Sequence, residues 1–303
     1  MTQAVKKHRT SKLGRREWAA GYLFILPNFI GFLAFTLIPV LIGFYISQTD
    51  YTGYGTPNYV GIQNYVKLFT DDDFLNAFRN NLFYTATSVP LTIVIALLLA
   101  LMMHKKLYGA KIFQTVYFFP NLTSAVAVGC VWLQIFASKN GPVNQMLVDW
   151  FGVVAPPKWF SGVQTAMISV VIVVVWKQVG YYMVMLLGGL KNIPAHLYEA
   201  ARLDGAGPWQ TFWHVTWPML TPTTFMVTIL TLIGSFQVFD IINITTEGGP
   251  GRATEVLVMR IYKEAFKYGR MGYGSAIGYI LFAIIFIITL IQWQGQKHWV
   301  VEE

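Results

Sequence analysis

Residues 194–222 of the chain read PAHLYEAARLDGAGPWQTFWHVTWPMLTP, a polar stretch between two apolar runs long enough to cross a membrane. Helix-forming residues occupy 195–203. Gly205 then favours a turn, and Pro208 suits the first position of a second helix, expected over residues 209–217. The stretch is too polar to span a membrane and too apolar for a plain linker. The sequence therefore predicts a helix–turn–helix that lies outside the bilayer.

Apolar runs make up most of the remaining chain. Apolar residues account for 55% of the 303 residues and charged residues for 12%, whereas a soluble domain carries about 25% charged residues. Six stretches approach the roughly 20 apolar residues of a span, at 20–46, 82–103, 112–137, 165–187, 219–242 and 275–293. The predicted fold class is therefore an all-α membrane protein with six transmembrane helices, since an open sheet edge cannot face lipid.

Lys and Arg in the loops predict the orientation. Residues 1–19 are strongly basic, and the run Asp71–Asp73 follows the first span. The first span has 27 residues, which exceeds the roughly 7–15 residues of a signal-peptide core, so we predict a retained helix. We divide the chain into a cytoplasmic basic tail (1–19), a six-span domain (20–295) with a cytoplasmic loop at 191–217, and a cytoplasmic tail (296–303).

The two longest loops on the opposite side have helical character. Residues 48–81 are amphipathic and are expected to lie against the outer surface as short helices. The loop 243–273 opens with the turn signal Glu247-Gly-Gly-Pro250, and a helical stretch is expected over Thr254–Tyr268.

Several classes of function find no support in the sequence. The net charge of +8 lies at span ends rather than on one clustered face, which disfavours nucleic-acid binding. Cys130 is the single cysteine and cannot form an internal disulfide. No phosphate-binding motif of the form GxxxxGK[ST] occurs, so the sequence offers no evident phosphate cradle for a nucleotide. We predict no catalytic residues and no metal site.

Polar groups inside the predicted spans are candidates for a substrate pathway, because burying them in lipid is costly. Lys177 lies near the middle of the fourth span, and Tyr181 shares its helix face. These groups combine hydrogen-bonding side chains with an aromatic platform, which suits a sugar. The alternative is that they only join helices to one another. The candidates are Lys177, Gln178, Tyr181, Thr231, Ser235, Gln237 and Asp240.

The string Glu199-Ala-Ala-x-x-Asp204-Gly205-Ala206 resembles the cytoplasmic "EAA" signature of permease subunits in binding-protein-dependent ABC importers. More specifically, the sequence resembles the carbohydrate-uptake class, such as the first-type permeases of maltose and glycerol-3-phosphate importers. The resemblance covers residues 20–295. Supporting residues are Phe212, Val215, Pro218, Pro222, Leu26-Pro27, Tyr59-Val-Gly61, Phe119-Pro120 and Gly248-Gly249-Pro250.

The resemblance implies a type I ABC importer permease fold with a cytoplasmic coupling helix, in a bacterial inner membrane. Glu199 would contact a basic residue in a groove of the ATPase. Ala200 and Ala201 would let the helix lie close to the groove wall, Asp204 and Gly205 would hold the turn, and Ala206 would belong to the same coupling segment.

The implied partners are a second permease subunit in a heterodimer, two ATPase subunits and an extracytoplasmic solute-binding protein, besides membrane lipid. This chain would bind no cofactor itself, and ATP and Mg²⁺ would be held by the partner ATPase. It would not be an enzyme, but would form half of the pathway for a sugar or related polyol.

A secondary transporter or channel subunit for small polar solutes is the alternative function. No inverted repeat is evident in the sequence, which disfavours it. A membrane enzyme is disfavoured by the lack of a nucleophile–base set.

Overall fold

The computed structural model describes residues 12–104 and 109–299. Within these ranges the chain is helical and has no strand, apart from an isolated bridge between Thr49 and Tyr59. The all-α fold class is therefore confirmed. Lys6, Lys7 and Arg9 of the predicted basic tail, and residues 300–303 of the predicted C-terminal tail, lie outside the described residues.

The helices of the first half are α1 (Lys12–Phe32, a π-helical turn Leu33–Leu37, then Ile38–Ser47), α2 (Gln63–Leu68), α3 (Asp72–His104), α4 (Ala110–Leu122), α5 (Ala125–Ile135) and α6 (Pro142–Phe151). A short 3₁₀ helix follows at Trp159–Ser161. Next come α7 (Ala166–Asn192), α8 (Ala195–Leu203), α9 (Pro208–Thr211, a π-helical turn Phe212–Thr216, then Trp217–Phe236), α10 (Asp240–Thr245), α11 (Leu257–Tyr262, a π-helical turn Lys263–Lys267) and α12 (Met271–Trp299).

Five helical stretches of the described chain are long and apolar enough to cross a membrane, and the bent pair α4–α5 supplies a sixth if it counts as one span. The second spanning helix, α3, begins at Asp72 rather than at the predicted residue 82. The oxygen of Asp71 accepts hydrogen bonds from the backbone N–H groups of Asp73 and Phe74, and this cap fixes the helix start. The amphipathic segment 72–81 is thus part of a spanning helix, not a separate surface helix.

The third span was predicted as one helix over 112–137, and this is wrong. α4 and α5 meet at an angle of 101°. Pro120 lies in the last turn of α4, and Thr123 is extended, with φ −76° and ψ 143°. Ser124 then caps α5, because its hydroxyl oxygen accepts a hydrogen bond from Val126 N at 3.3 Å. A helix end and a new helix start therefore replace the expected continuous span.

The fifth span also differs from the prediction. The expected helix end near Pro218 is absent, and α9 is continuous from Pro208 to Phe236. A π-helical turn precedes Pro218 and another precedes Pro39 of α1. Such a turn shifts the hydrogen-bond register. The helix therefore accommodates a proline, which has no N–H to donate and whose ring would otherwise clash with the carbonyl of the preceding turn. The predicted end of this span at residue 242 is also wrong, because residues 237–239 separate α9 from α10.

The centre of the molecule is the contact of α7 with α3 and α4. Ala96 and Ala100 of α3 are fully buried in one apolar cluster with Met183 and Leu186 of α7. At Gly180 the backbones of α7 and α4 nearly touch, because an added Cβ would lie 1.8 Å from the carbonyl oxygen of Tyr117. α1 is peripheral, because no residue in its most apolar stretch is buried against the rest of this chain.

A cluster of ion pairs closes the end of the molecule at which α3 begins. The Arg260 guanidinium is 6% exposed and lies 2.6 Å from Glu264, 2.9 Å from Asp73, 3.5 Å from Glu255 and 3.6 Å from Asp71. The cluster is completed by three outer pairs, Arg252–Asp73, Lys263–Glu255 and Arg270–Glu264. α3 has 33 residues and is therefore about 50 Å long, so the cluster lies far from α8, which packs near the other end of α3.

Replacement of Gly180 by alanine tests the close contact of α4 and α7. We expect Gly180→Ala to lower the free energy of unfolding by about 1–3 kcal/mol, since the new methyl group overlaps a backbone carbonyl. Thermal unfolding of the purified protein measures this. Gly188→Ala on the same helix is the matched control, because a Cβ there meets nothing within 4 Å. Equal melting temperatures for the two variants would contradict the packing described.

Candidate coupling segment and membrane cavity

α8 is held firmly against the spanning helices that flank it. Ile193, between α7 and α8, is buried in the apolar cluster at the end of α7, and Leu197 and Tyr198 pack on the same cluster. The Tyr198 hydroxyl lies 3.3 Å from the Thr216 hydroxyl of α9. α8 is therefore connected to both α7 and α9, so a displacement of α8 acts on both helices.

The opposite face of α8 is open. Glu199, Ala200 and Leu203 are exposed, and the Leu203 side chain is 90% exposed at the tip of the helix. Residues separated by three or four positions lie on one helix face. The three side chains therefore form a continuous ridge, here called the α8 ridge, with a carboxylate at one end and an apolar side chain at the other. Ala201, also predicted to contact a partner, is half-buried instead.

The turn after α8 is a Schellman motif. Gly205 N donates to Arg202 O at 3.1 Å, and Ala206 N donates to Ala201 O at 2.9 Å. Gly205 has φ +76°, a conformation that side-chain-bearing residues rarely adopt. Asp204 is exposed and occupies the position at which the helix ends. The turn predicted from the sequence is thus present, and its geometry explains the need for glycine at 205.

An aromatic cluster lies at the start of α9. The rings of Trp209, Phe212, Trp213 and Trp217 pack with neighbouring centroids between 5.1 and 6.3 Å apart. α9 comprises 29 residues, or about 44 Å, whereas the hydrocarbon core is about 30 Å thick. α9 is therefore longer than the hydrocarbon core is thick, and the tryptophans in its first turns are typical of a membrane–water interface.

A polar cavity of about 190 Å³ lies where the two broken spans meet α7. It brings together four of the seven predicted pathway residues, Lys177, Gln178, Gln237 and Asp240. The first two come from α7, whereas Gln237 lies in the break between α9 and α10 and Asp240 directly follows it. Gln237 and Asp240 are exposed on the surface of this chain, so the cavity is open on one side.

The other three predicted pathway residues lie outside the cavity. Tyr181 is exposed one turn along α7 and packs against Phe118. Thr231 is buried and its hydroxyl donates to Val227 O at 2.7 Å. The Ser235 hydroxyl is also buried, 2.9 Å from the Thr85 hydroxyl of α3. The hydroxyls of residues 231 and 235 therefore already have partners within the protein.

Asn121 is a cavity neighbour that sequence reasoning missed. Its carbonyl oxygen, near the end of α4, accepts a hydrogen bond of 3.1 Å from the Lys177 ammonium. Asp240 lines the same cavity as this lysine and carries the opposite charge. The sequence contained one relevant signal, Pro120 followed by Ser124, which is typical of a helix end and a new cap.

A bundle of membrane-spanning helices with an embedded polar cavity between broken spans, and a rigid ridge beyond one end, defines a membrane permease. Residues 82–295 match the family described as binding-protein-dependent transport system inner membrane component, and the chain belongs to this family of multi-pass inner-membrane proteins. The family predicted from the Glu199 string is thereby confirmed.

Curated relatives agree over nearly the whole chain. The chain is 34% identical over 301 residues to the probable ABC transporter permease protein YesP of Bacillus subtilis, covering 98% of this chain and 96% of that protein. It is also 34% identical over 275 residues to the arabinooligosaccharides transport system permease protein AraP of the same species, covering 90% and 87% respectively.

A solved structure confirms the predicted type I importer permease fold. One chain of a bacterial ABC transporter involved in the import of the acidic polysaccharide alginate superposes with a TM-score of 0.82 at 25% identity. The superposition covers 93% of this chain and 96% of that one.

The Schellman turn can be tested by placing alanine at Gly205 and, for comparison, at Gly207 just beyond the turn. Gly205→Ala forces a side chain into the left-handed region, and we expect it to destabilise the turn by about 1–2 kcal/mol. Hydrogen–deuterium exchange of the segment 198–208 should become correspondingly faster. Gly207→Ala is the control, since Gly207 has φ −71° and ψ 169°. Equal exchange in the two variants would argue against the described turn.

Proposed function

We propose that the chain forms half of the translocation pathway of an ATP-driven, binding-protein-dependent importer for a sugar or related polyol. The single observation that carries this proposal is the α8 ridge, an exposed ridge on a helix that is fixed to both helices lining the polar cavity. Family membership supports it.

The α8 ridge is suited to a groove on a partner ATPase. An exposed apolar side chain beside a carboxylate on one helix face is the pattern of helix-in-groove recognition. Leu203 fills an apolar part of the groove, and Glu199 pairs with a basic side chain at its edge. Because the sequence has no GxxxxGK[ST] motif, ATP and Mg²⁺ are held by that partner, and this chain contributes no hydrolytic residues and no cofactor.

Motion of α8 is transmitted to the cavity along α7 and α9. Lys177 lies 15 positions before the end of α7 at Asn192, or about 22 Å along the helix. α9 runs from the Thr216 contact to the break at the cavity. When two ATPase subunits close on ATP, the α8 ridge moves with the groove that holds it. The cavity then changes the side of the membrane to which it opens.

The cargo proposed is an uncharged, hydroxyl-rich solute. The cavity provides two side-chain amides, from Gln178 and Gln237, which match hydroxyl groups as both donors and acceptors. Lys177 and Asp240 balance each other's charge at the same place. The relative AraP is named for arabinooligosaccharides, which are solutes of this chemistry.

A second permease subunit completes the cavity. Gln237 and Asp240 face out of this chain while lying within the membrane-spanning part. Polar side chains at this depth are stable only against protein or water. The other half of a heterodimer covers them, and both halves together enclose the cargo.

The solute-binding protein docks at the end that carries the ion-pair cluster. This end is opposite α8, so it faces outwards if α8 meets the ATPase in the cytoplasm. The excess of Lys and Arg in residues 1–19 supports the same orientation. Both termini then lie in the cytoplasm.

Two substitutions on the α8 ridge test the proposal. We expect Glu199→Lys and Leu203→Glu each to reduce ATP-driven uptake by tenfold or more, because each replaces a central contact of a docking helix. Vesicle uptake with ATP supplied on the cytoplasmic side measures this, together with recovery of the ATPase when the chain is purified. Val154→Glu is the control, since Val154 is 99% exposed on the loop between α6 and α7.

Two results would contradict the proposal. One is full ATP-driven uptake by both ridge variants at normal membrane levels. The other is uptake driven by an ion gradient without ATP, which would instead identify a secondary transporter.

A further inference from the structure

Two broken spans meet α7 at one depth in the described structure. The α4–α5 break lies at Thr123 and Ser124, and the α9–α10 break lies at residues 237–239. Ala125 from the first break and Gln237, Val238 and Phe239 from the second line the same cavity. Each break leaves backbone carbonyl oxygens without helical partners, which is costly inside a bilayer unless another group satisfies them.

Lys177 satisfies one of these carbonyls. Its ammonium donates to the Asn121 carbonyl oxygen at 3.1 Å, in the last turn of α4. A cation at a helix C-terminus also interacts favourably with the helix dipole. Lys177 comes from a different helix, so the contact joins α4 to α7 at the break itself.

The same ammonium faces the second break. Asp240 is the first residue of α10, and it lines the same cavity as Lys177 with the opposite charge. A charged pair within a membrane protein is far less costly than either charge alone. Lys177 therefore lies between a carbonyl of one broken span and a carboxylate of the other.

We propose that Lys177 is a positioning residue that joins the two broken spans across α7 and thereby sets the width of the cavity. This role is distinct from contact with the cargo, and its relevance to transport rests on the function proposed above. Loss of the ammonium would free the Asn121 carbonyl and leave Asp240 without its counter-charge. The α4–α5 break and the α9–α10 break, which line the cavity, would then move apart.

The test is a double-mutant cycle in the full-length protein, purified with its partner subunits and measured without cargo or ATP. The variants are Lys177→Met, which keeps the length of the side chain, Lys177→Arg, Asp240→Asn, and the double variant Lys177→Met/Asp240→Asn. Hydrogen–deuterium exchange over residues 119–128 reports opening of the α4–α5 break. Lys158→Met is the control for loss of a lysine, since Lys158 is exposed on the loop before α7.

We expect Lys177→Met to raise the exchange rate over residues 119–128 about tenfold, because a hydrogen bond from a charged donor is lost. Asp240→Asn should raise it about threefold. The double variant should show no more than about the tenfold change of Lys177→Met, since removing both partners leaves no unpaired charge. Lys177→Arg should restore exchange to near the unsubstituted rate.

Two outcomes would overturn the proposal. Unchanged exchange in Lys177→Met would mean that the lysine does not hold the break. A roughly thirtyfold change in the double variant, the product of the single effects, would mean that Asp240 acts independently. Neither measurement depends on uptake, so failure here is separable from failure of the proposed transport function. In uptake assays, a positioning role further predicts that Lys177→Arg recovers both kcat and KM.

Discussion

A side chain at position 180 would lie 1.8 Å from the carbonyl oxygen of Tyr117, and this limit sets how closely α4 approaches α7. One turn further along α4 and one turn earlier along α7, the same approach brings the Asn121 carbonyl within 3.1 Å of Lys177. The rings of Phe118 and Tyr181 also pack across this contact. The break in the third span, the position of the lysine and the wall of the cavity therefore all depend on a glycine that permits two backbones to touch.

The family, the spans and the turn after Glu199 were predictable because each depends on local sequence. The left-handed residue of the Schellman turn needs glycine, and Gly205 is visible in the string itself. The helix breaks were not predictable in the same way. Pro90 lies within the continuous helix α3, whereas Pro120 precedes a bend of 101°. Two features distinguish the second proline: Ser124 caps a new helix four residues later, and Lys177 from another helix satisfies a carbonyl beside it.

The cavity residues illustrate the same division between local and tertiary information. Composition indicated which polar groups inside the spans were candidates, but not which of them share a space. Lys177, Gln178, Gln237 and Asp240 come together only because α9 ends at Phe236 and the chain turns before α10. Ser235 is two positions from Gln237, yet it faces Thr85 of α3 and joins two helices. Helical periodicity alone does not distinguish the two roles.

The cluster around Arg260 has a consequence for the conditions that the protein tolerates. Its central guanidinium and the carboxylates of Glu255 and Glu264 are buried, and their charged atoms are separated by at most 3.5 Å. In physiological salt, mobile ions largely screen only those exposed charges that are more than about 8 Å apart, and buried pairs are screened much less. We therefore expect the buried core of this cluster to be preserved when the ionic strength of the surrounding medium changes from low to high.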